Sequence, residues 1–182
     1  NVLTVIATMD PDNNWSHGVF SLPVEEIKRQ AKTALSTNVD AIKTGMLSTE
    51  EIIETAGNII EDSGITNIVI DPVMVCKGED EVLNPGTVDA MITHLLPRAL
   101  VVTPNLFEAG QLSGLGALKT IEDMKNAAEK IYSLGAKNVV IKGGKQLQHD
   151  KAVDLFYDGS THTLLETEKT DTGAIVLDMY HS

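Results

Sequence analysis

The stretch Ile68-Val69-Ile70-Asp71-Pro72-Val73-Met74-Val75-Cys76-Lys77-Gly78-Glu79-Asp80-Glu81-Val82-Leu83 decides how the chain is read. It begins as a β-branched run, Ile68 to Ile70, which predicts a short strand buried on both faces. Pro72 stops that strand, because proline has no N–H to give to a ladder. With Asp71 just before it, a thiol, an ammonium group and a Gly follow, then three more acids. A polar segment placed there lies outside the carboxyl end of the strand, where open α/β sheets bind ligands.

The same grammar recurs. Val39–Ile42 runs into Lys43-Thr44-Gly45-Met46, Leu100–Val102 into Thr103-Pro104-Asn105, and Val139–Ile141 into Lys142-Gly143-Gly144. In a parallel sheet all four ends share one edge, so Lys43, Asp71, Asn105 and Lys142 are expected side by side.

Helical patterns separate these runs. Val24, Ile27, Ala31, Ala34 and Leu35 keep helical spacing behind Pro23. Ser48 and Glu51 read as a capping box ahead of Ile52, Ile53, Ala56, Ile59 and Ile60. Val88, Met91, Ile92, Leu95 and Leu96 mark a further helix, stopped by Pro97. Asn105 opens a short one. Thr120 caps the next, with Ile121, Met124, Ala128 and Ile131 on one face and Gly135 at its end. Val2–Ala7 predicts a strand, followed by a long loop from Thr8 to Pro23 in which Trp15 reads more readily as a packing anchor than as a substrate platform. Ala152–Tyr157 and Thr161–Glu166, joined by Asp158-Gly159-Ser160, predict a hairpin. The rhythm is that of an α/β domain with a mostly parallel sheet in three layers.

At 182 residues the chain is one domain's worth, residues 1–182, with 42% hydrophobic content. A net charge of −12 argues against nucleic acid and against an anionic membrane surface. No apolar run approaches the length of a membrane span, and one Cys cannot form an internal disulfide. The cytoplasm is the expected compartment. The chain opens directly on a strand and ends in a stretch, Gly173 to Ser182, without recognisable cap or turn chemistry, so a fragment at both ends is expected.

Asn105 and Glu108 have the spacing of a helix cap. They also lie at a strand end, where their oxygens suit a hydrated Mg²⁺. Lys142-Gly143-Gly144 places a cation and two side-chain-free residues where a triphosphate could approach. Neither a P-loop nor a Rossmann glycine motif is present. Cys76 beside Lys77 is either an incidental thiol or one biased toward the thiolate. The five His residues have no ligand spacing.

Together, Lys43-Thr44-Gly45-Met46-Leu47, Asp71 to Gly78, Thr103-Pro104-Asn105-Leu106-Phe107-Glu108-Ala109 and Val140 to Gly144 resemble the hydroxymethylpyrimidine/phosphomethylpyrimidine kinase-like group of the ribokinase superfamily. The Met-Val-Cys-Lys-Gly form most resembles the pyridoxal kinases of Gram-positive bacteria. The resemblance runs from about Val2 to Asp171. It implies a ribokinase-like three-layer fold, here truncated at both ends. It implies phosphorylation by ATP of the hydroxymethyl group of pyridoxal, and of pyridoxine and pyridoxamine, in vitamin B6 salvage, with the thiamine-pathway pyrimidine alcohol as the alternative substrate.

The resemblance also implies residue roles. Asn105, Glu108 and Asp71 would serve Mg²⁺, with Asp71 near the phosphates. Lys142, Gly143, Gly144 and Asp154 would serve ATP. Gly45, Met46 and Val73 would line the ring pocket, and Cys76 would sit on a lid over the substrate, where its thiol could add to the aldehyde of pyridoxal. A homodimer is the macromolecular partner the resemblance admits. Two family features have no counterpart here: a Gly-rich N-terminal segment, and a Gly-rich motif after Thr172 that forms an anion hole. The expectation is therefore a kinase chain of low turnover, or a non-catalytic relic.

Overall fold

The computed structural model describes residues 1–12, 16–74, 86–144 and 146–169. Six strands form the main sheet in the order β3-β4-β5-β6-β7-β8. These are β3 (Ile42–Lys43), β4 (Ile68–Ile70), β5 (Val101–Val102), β6 (Val139–Lys142), β7 (Lys151–Tyr157) and β8 (His162–Glu168). The first four pair in parallel, and the last two add an antiparallel hairpin at one side. The expected mostly parallel α/β sheet is therefore what the chain forms, and the Asp158-Gly159-Ser160 turn joins the expected hairpin.

The parallel strands are short but extended by further bonds. Thr44 N donates to Val69 O, Thr103 N to Ile70 O and Lys142 N to Pro104 O. Each of these carries the ladder one step into the polar loop at the carboxyl edge. Strand direction thus delivers all four loops to one side.

The helices are α1 (Val24–Leu35), α2 (Glu50–Ser63), α3 (Gly86–His94), α4 (Leu106–Ser113) and α5 (Ile121–Ser133). Pro23 precedes α1 with φ −59°, the value its ring favours, and Ile27 and Ala31 turn inward. Gly64 ends α2 in the left-handed region at φ 69°, which a side chain would resist. A 3-10 turn over Leu96–Arg98 holds Pro97 after α3. Each helix packs on the next, α1 on α2 through to α4 on α5.

Alternate strand residues face this helical layer. Ile68, Ile70, Val102, Val139, Ile141 and Leu155 are all 1% exposed or less. Their neighbours Val69, Val101 and Val140 are half-buried. The run Ile68 to Ile70 is expected to be buried on both faces; Ile68 and Ile70 are fully buried, and Val69, on the opposite face, is only half-buried.

Two local expectations are corrected. Val2–Ala7 is not a strand followed by loop. β1 (Val5–Asp10) pairs antiparallel with β2 (Ser16–Ser21), from Val5 opposite Ser21 to Asp10 opposite Ser16, in a separate two-stranded sheet. The turn begins with Asp10, whose carboxylate accepts from Asp12 N at 3.0 Å. The cap of α2 is Thr49, not Ser48. Thr49 is extended and its hydroxyl accepts from Ile52 N at 3.2 Å. Ser48 instead meets Ser21 across a 2.7 Å hydroxyl contact, so Glu51 falls one position short of a reciprocal box.

Candidate active site

Asp71 follows the last residue of β4 and is 5% exposed. A carboxylate so placed needs partners, since burial of an unpaired charge is costly. It has two. Lys43, at the end of β3, donates to Oδ2 at 3.0 Å, and Lys142, at the end of β6, donates to Oδ1 at 3.3 Å. The Asp71 backbone N–H donates to Thr44 Oγ1 at 3.2 Å. Three strand ends converge on one acid.

The fourth strand end brings Asn105, which makes a parallel bridge to Lys142. Asn105 caps α4, and its Oδ1 accepts from Glu108 N at 2.9 Å. Glu108 Oε2 returns the bond, accepting from Asn105 N at 2.8 Å. Glu108 is 3% exposed. Burial pushes its carboxyl up from the usual range to about 7, against the lowering effect of the Asn105 N–H, the Lys142 ammonium and the Met74 backbone. The negative charge of Asp71 adds to the rise.

Asp154 lies opposite Lys142 in the antiparallel register. Its Oδ1 accepts from Gly143 N at 3.0 Å and so fixes the turn after β6. A Cβ on Gly143 would lie 2.1 Å from Val153 O, so only glycine fits there. Gly144 has φ 54° and open space where a side chain would be. Gly45 is exposed and open in the same way, and Met46 is half-buried. The Met46 carbonyl accepts from Thr4 Oγ1 at 2.8 Å, which ties the N-terminal segment to this loop. Val73 is half-buried, and its N–H donates to Asp71 O at 2.9 Å, closing a tight turn around Pro72.

Asp71, Asn105, Glu108, Lys142, Gly143, Gly144 and Asp154 are thus brought together, with Gly45, Met46 and Val73 on the adjoining loops. Cys76, Trp15 and the tail from Gly173 lie outside the described residues. Sequence reasoning placed Lys43 at this edge without a role, and it missed Thr44. The strand-end position of both was the available signal. A cavity of about 610 Å³ lies between α1 and α2, lined by Lys28, Leu35, Ile59 and Ile65 among others. None of the site residues lines it.

Among the described residues, no three His, Cys, Asp or Glu side chains converge as metal ligands. The oxygens of Asp71, Asn105 and Glu108 nevertheless have the donor chemistry of Mg²⁺, which keeps several of its waters and needs only one or two carboxylates.

Residues 1–175 match the family described as phosphomethylpyrimidine kinase. A putative pyridoxine kinase of Staphylococcus aureus is 62% identical over 166 residues, which is 91% of this chain and 60% of the relative. A hydroxymethylpyrimidine/phosphomethylpyrimidine kinase of Bacillus subtilis is 37% identical over 160 residues, 85% of this chain and 59% of the relative. The solved pyridoxal kinase of S. aureus superposes in its complex with pyridoxal (TM-score 0.86, 59% identity, 92% of this chain, 60% of that one). Its complex with AMP-PCP gives a TM-score of 0.87 at 60% identity, over 94% and 62% of the two chains. The chain therefore spans about 60% of the length of these relatives.

Proposed function

The chain belongs to the phosphomethylpyrimidine kinase family, and from that premise we propose that it serves the transfer of the γ-phosphoryl group of ATP to the hydroxymethyl group of pyridoxal. The observation that carries this reading is the Asp71 carboxylate held between Lys43 and Lys142 at the carboxyl edge of a parallel sheet. Support for the ligands comes from the S. aureus relative, which was solved with pyridoxal and with AMP-PCP. The higher identity to pyridoxine kinases than to the pyrimidine kinase favours the pyridine substrate.

Phosphoryl transfer needs positioning and charge neutralisation more than covalent chemistry. Lys142 supplies a cation toward the phosphates. The Gly143-Gly144 turn, pinned by Asp154 on the Gly143 N–H, has no side chains to keep the phosphates from the backbone. Asp71, Asn105 and Glu108 would hold hydrated Mg²⁺, which neutralises charge on the phosphate oxygens when bound. Gly45, Met46 and Val73 border the place for the ring. Cys76, on the segment after Met74, is assigned to the aldehyde of pyridoxal.

The reading further takes residues 1–182 as one kinase domain, working in the cytoplasm. No helix among the described residues is long and apolar enough to cross a membrane. A homodimer fits the exposed Ile6, Met9 and Phe20 of the β1–β2 hairpin. The test is calorimetric titration of this chain with ADP plus Mg²⁺ and with pyridoxal, alongside a phosphorylation assay. Binding of both ligands is expected. Binding of neither overturns the reading, and binding of the pyrimidine alcohol in preference to pyridoxal shifts it to the second substrate.

A further inference from the structure

Asp71 is gripped from two sides, and the two sides differ. Lys142 belongs to the phosphate side: its strand end bridges Asn105, and its ammonium acts on the Glu108 carboxyl. Lys43 belongs to the acceptor side, because the same loop continues through Thr44 into Gly45 and Met46. That loop holds Asp71 twice, by the Lys43 ammonium on Oδ2 and by Thr44 Oγ1 on the backbone N–H. Thr44 is itself fixed to β4 by its N–H on Val69 O at 3.0 Å.

A nucleotide at this edge would compete for Lys142, since a triphosphate offers more negative charge than one carboxylate. Among the described residues, Asp71, 5% exposed, would then keep Lys43 as its cation. We propose that Lys43 is a positioning residue: it holds the Asp71 carboxylate in place when Lys142 turns to the phosphates, and it acts on the metal-nucleotide only through Asp71. This rests on the kinase reading above. It gives the Lys-Thr pair a part distinct from that of Lys142, although both lysines pair with the same acid. It also links the acceptor loop mechanically to the acid on the phosphate side.

The experiment is calorimetric titration of ADP, with and without Mg²⁺, into the wild-type chain, Lys43→Met, Lys43→Arg, Lys142→Met, Asp71→Asn and the Lys43→Met/Asp71→Asn double variant. The Lys43 side chain is 48% exposed, so its replacement leaves the core untouched. Lys43→Met should cut the strengthening of ADP binding by Mg²⁺ about tenfold, the size of one lost charge-assisted hydrogen bond. It should leave Mg²⁺-free ADP binding within about twofold of wild type. Lys142→Met should weaken ADP with and without the metal. Lys43→Arg should recover most of the Mg²⁺ effect. In the Asp71→Asn background, Lys43→Met should have no further effect.

An additive loss in the double variant would mean that Lys43 touches phosphate itself and would overturn the proposal, as would an unaltered Lys43→Met. Either result leaves the kinase reading standing. A wild-type chain that binds no ADP under any condition removes both.

Discussion

At the start of α4, Asn105 and Glu108 exchange two hydrogen bonds, and at the start of α5, Thr120 and Asp123 exchange the same two. The distances differ by little: 2.9 and 2.8 Å in the first cap, 3.1 and 2.9 Å in the second. The chemistry runs in opposite directions. Asp123 lies at the surface and is only part-buried, and the N–H groups of Lys119 and Thr120, with the Thr120 hydroxyl, hold its carboxyl below the usual carboxylate range. Glu108 is buried beside Asp71, and desolvation carries it up to about 7. A cap motif specifies where a helix begins. What the acid in it can do depends on what the rest of the fold brings against it. Here the α4 cap was carried to the carboxyl edge of the sheet and the α5 cap was left in water.

The largest effect that would break this contrast is on stability against pH in the metal-free chain. An acid raised from 4.5 to about 7 on folding means that the folded chain holds a proton which the unfolded chain has lost. The unfolded state then binds fewer protons, so stability falls as pH rises through that window. At about 1.4 kcal/mol per pH unit the loss is about 3 kcal/mol between pH 4.5 and 7. Glu108→Gln keeps an oxygen for Asn105 N and cannot ionise. Urea unfolding should therefore find the variant more stable than wild type above pH 7, with the difference gone below pH 4.5. Parallel pH profiles for the two proteins would show that the Glu108 carboxyl is not raised.

Next in size are the caps themselves. Asn105→Ala should cost about 2 kcal/mol, the upper end for a cap, because it strands the N–H of a buried residue. Thr120→Ala should cost about 1 kcal/mol, because water can replace the lost oxygen at an exposed helix start. The two should separate further on ligand binding. Asn105→Ala should abolish the Mg²⁺ effect on ADP affinity, whereas Thr120→Ala should leave it at the wild-type value in the same titration. Equal behaviour would mean that Asn105 is a cap and nothing more.

Much of this was legible in the sequence, and the reason is local. Asn105 with Glu108, Pro23 before α1, and Gly135 after α5 are written in neighbouring residues, and the four strand-end loops follow from chain order in a parallel sheet. What stayed hidden depends on contacts between distant residues. Gly18 looks like loop chemistry, yet it sits in β2 opposite Thr8, where a Cβ would lie 2.8 Å from Thr8 Oγ1. Ser48 and Thr49 are equally good caps on paper. The contact between Ser48 and Ser21 decides between them. The state of Glu108 comes from its burial among residues of other segments, Asp71 and Lys142 among them. The double hold of Lys43 and Thr44 on Asp71 needed the register of β3 against β4.

The smallest effect sharpens the comparison by its sign. Asp123→Asn keeps an amide oxygen for the Lys119 and Thr120 N–H groups, so the cap geometry can survive. It removes a negative charge from the first turn of α5, where the helix dipole favours one. A carboxyl held below its unfolded value of 3.8 contributes stability that is present above that value and fades as pH falls through the folded one. Asp123→Asn should therefore be slightly less stable than wild type at neutral pH, by less than Thr120→Ala, and should match it at acid pH. Added salt should shrink the gap, because the group is in water and its charge is screened. Glu108→Gln should do the reverse at neutral pH, raising stability, and salt should change that gain much less. If Asp123→Asn instead raised stability at neutral pH, or if salt left its effect untouched, the exposed cap would not be governed by its charge, and the division between a wet cap and a buried one would fail at its simpler member.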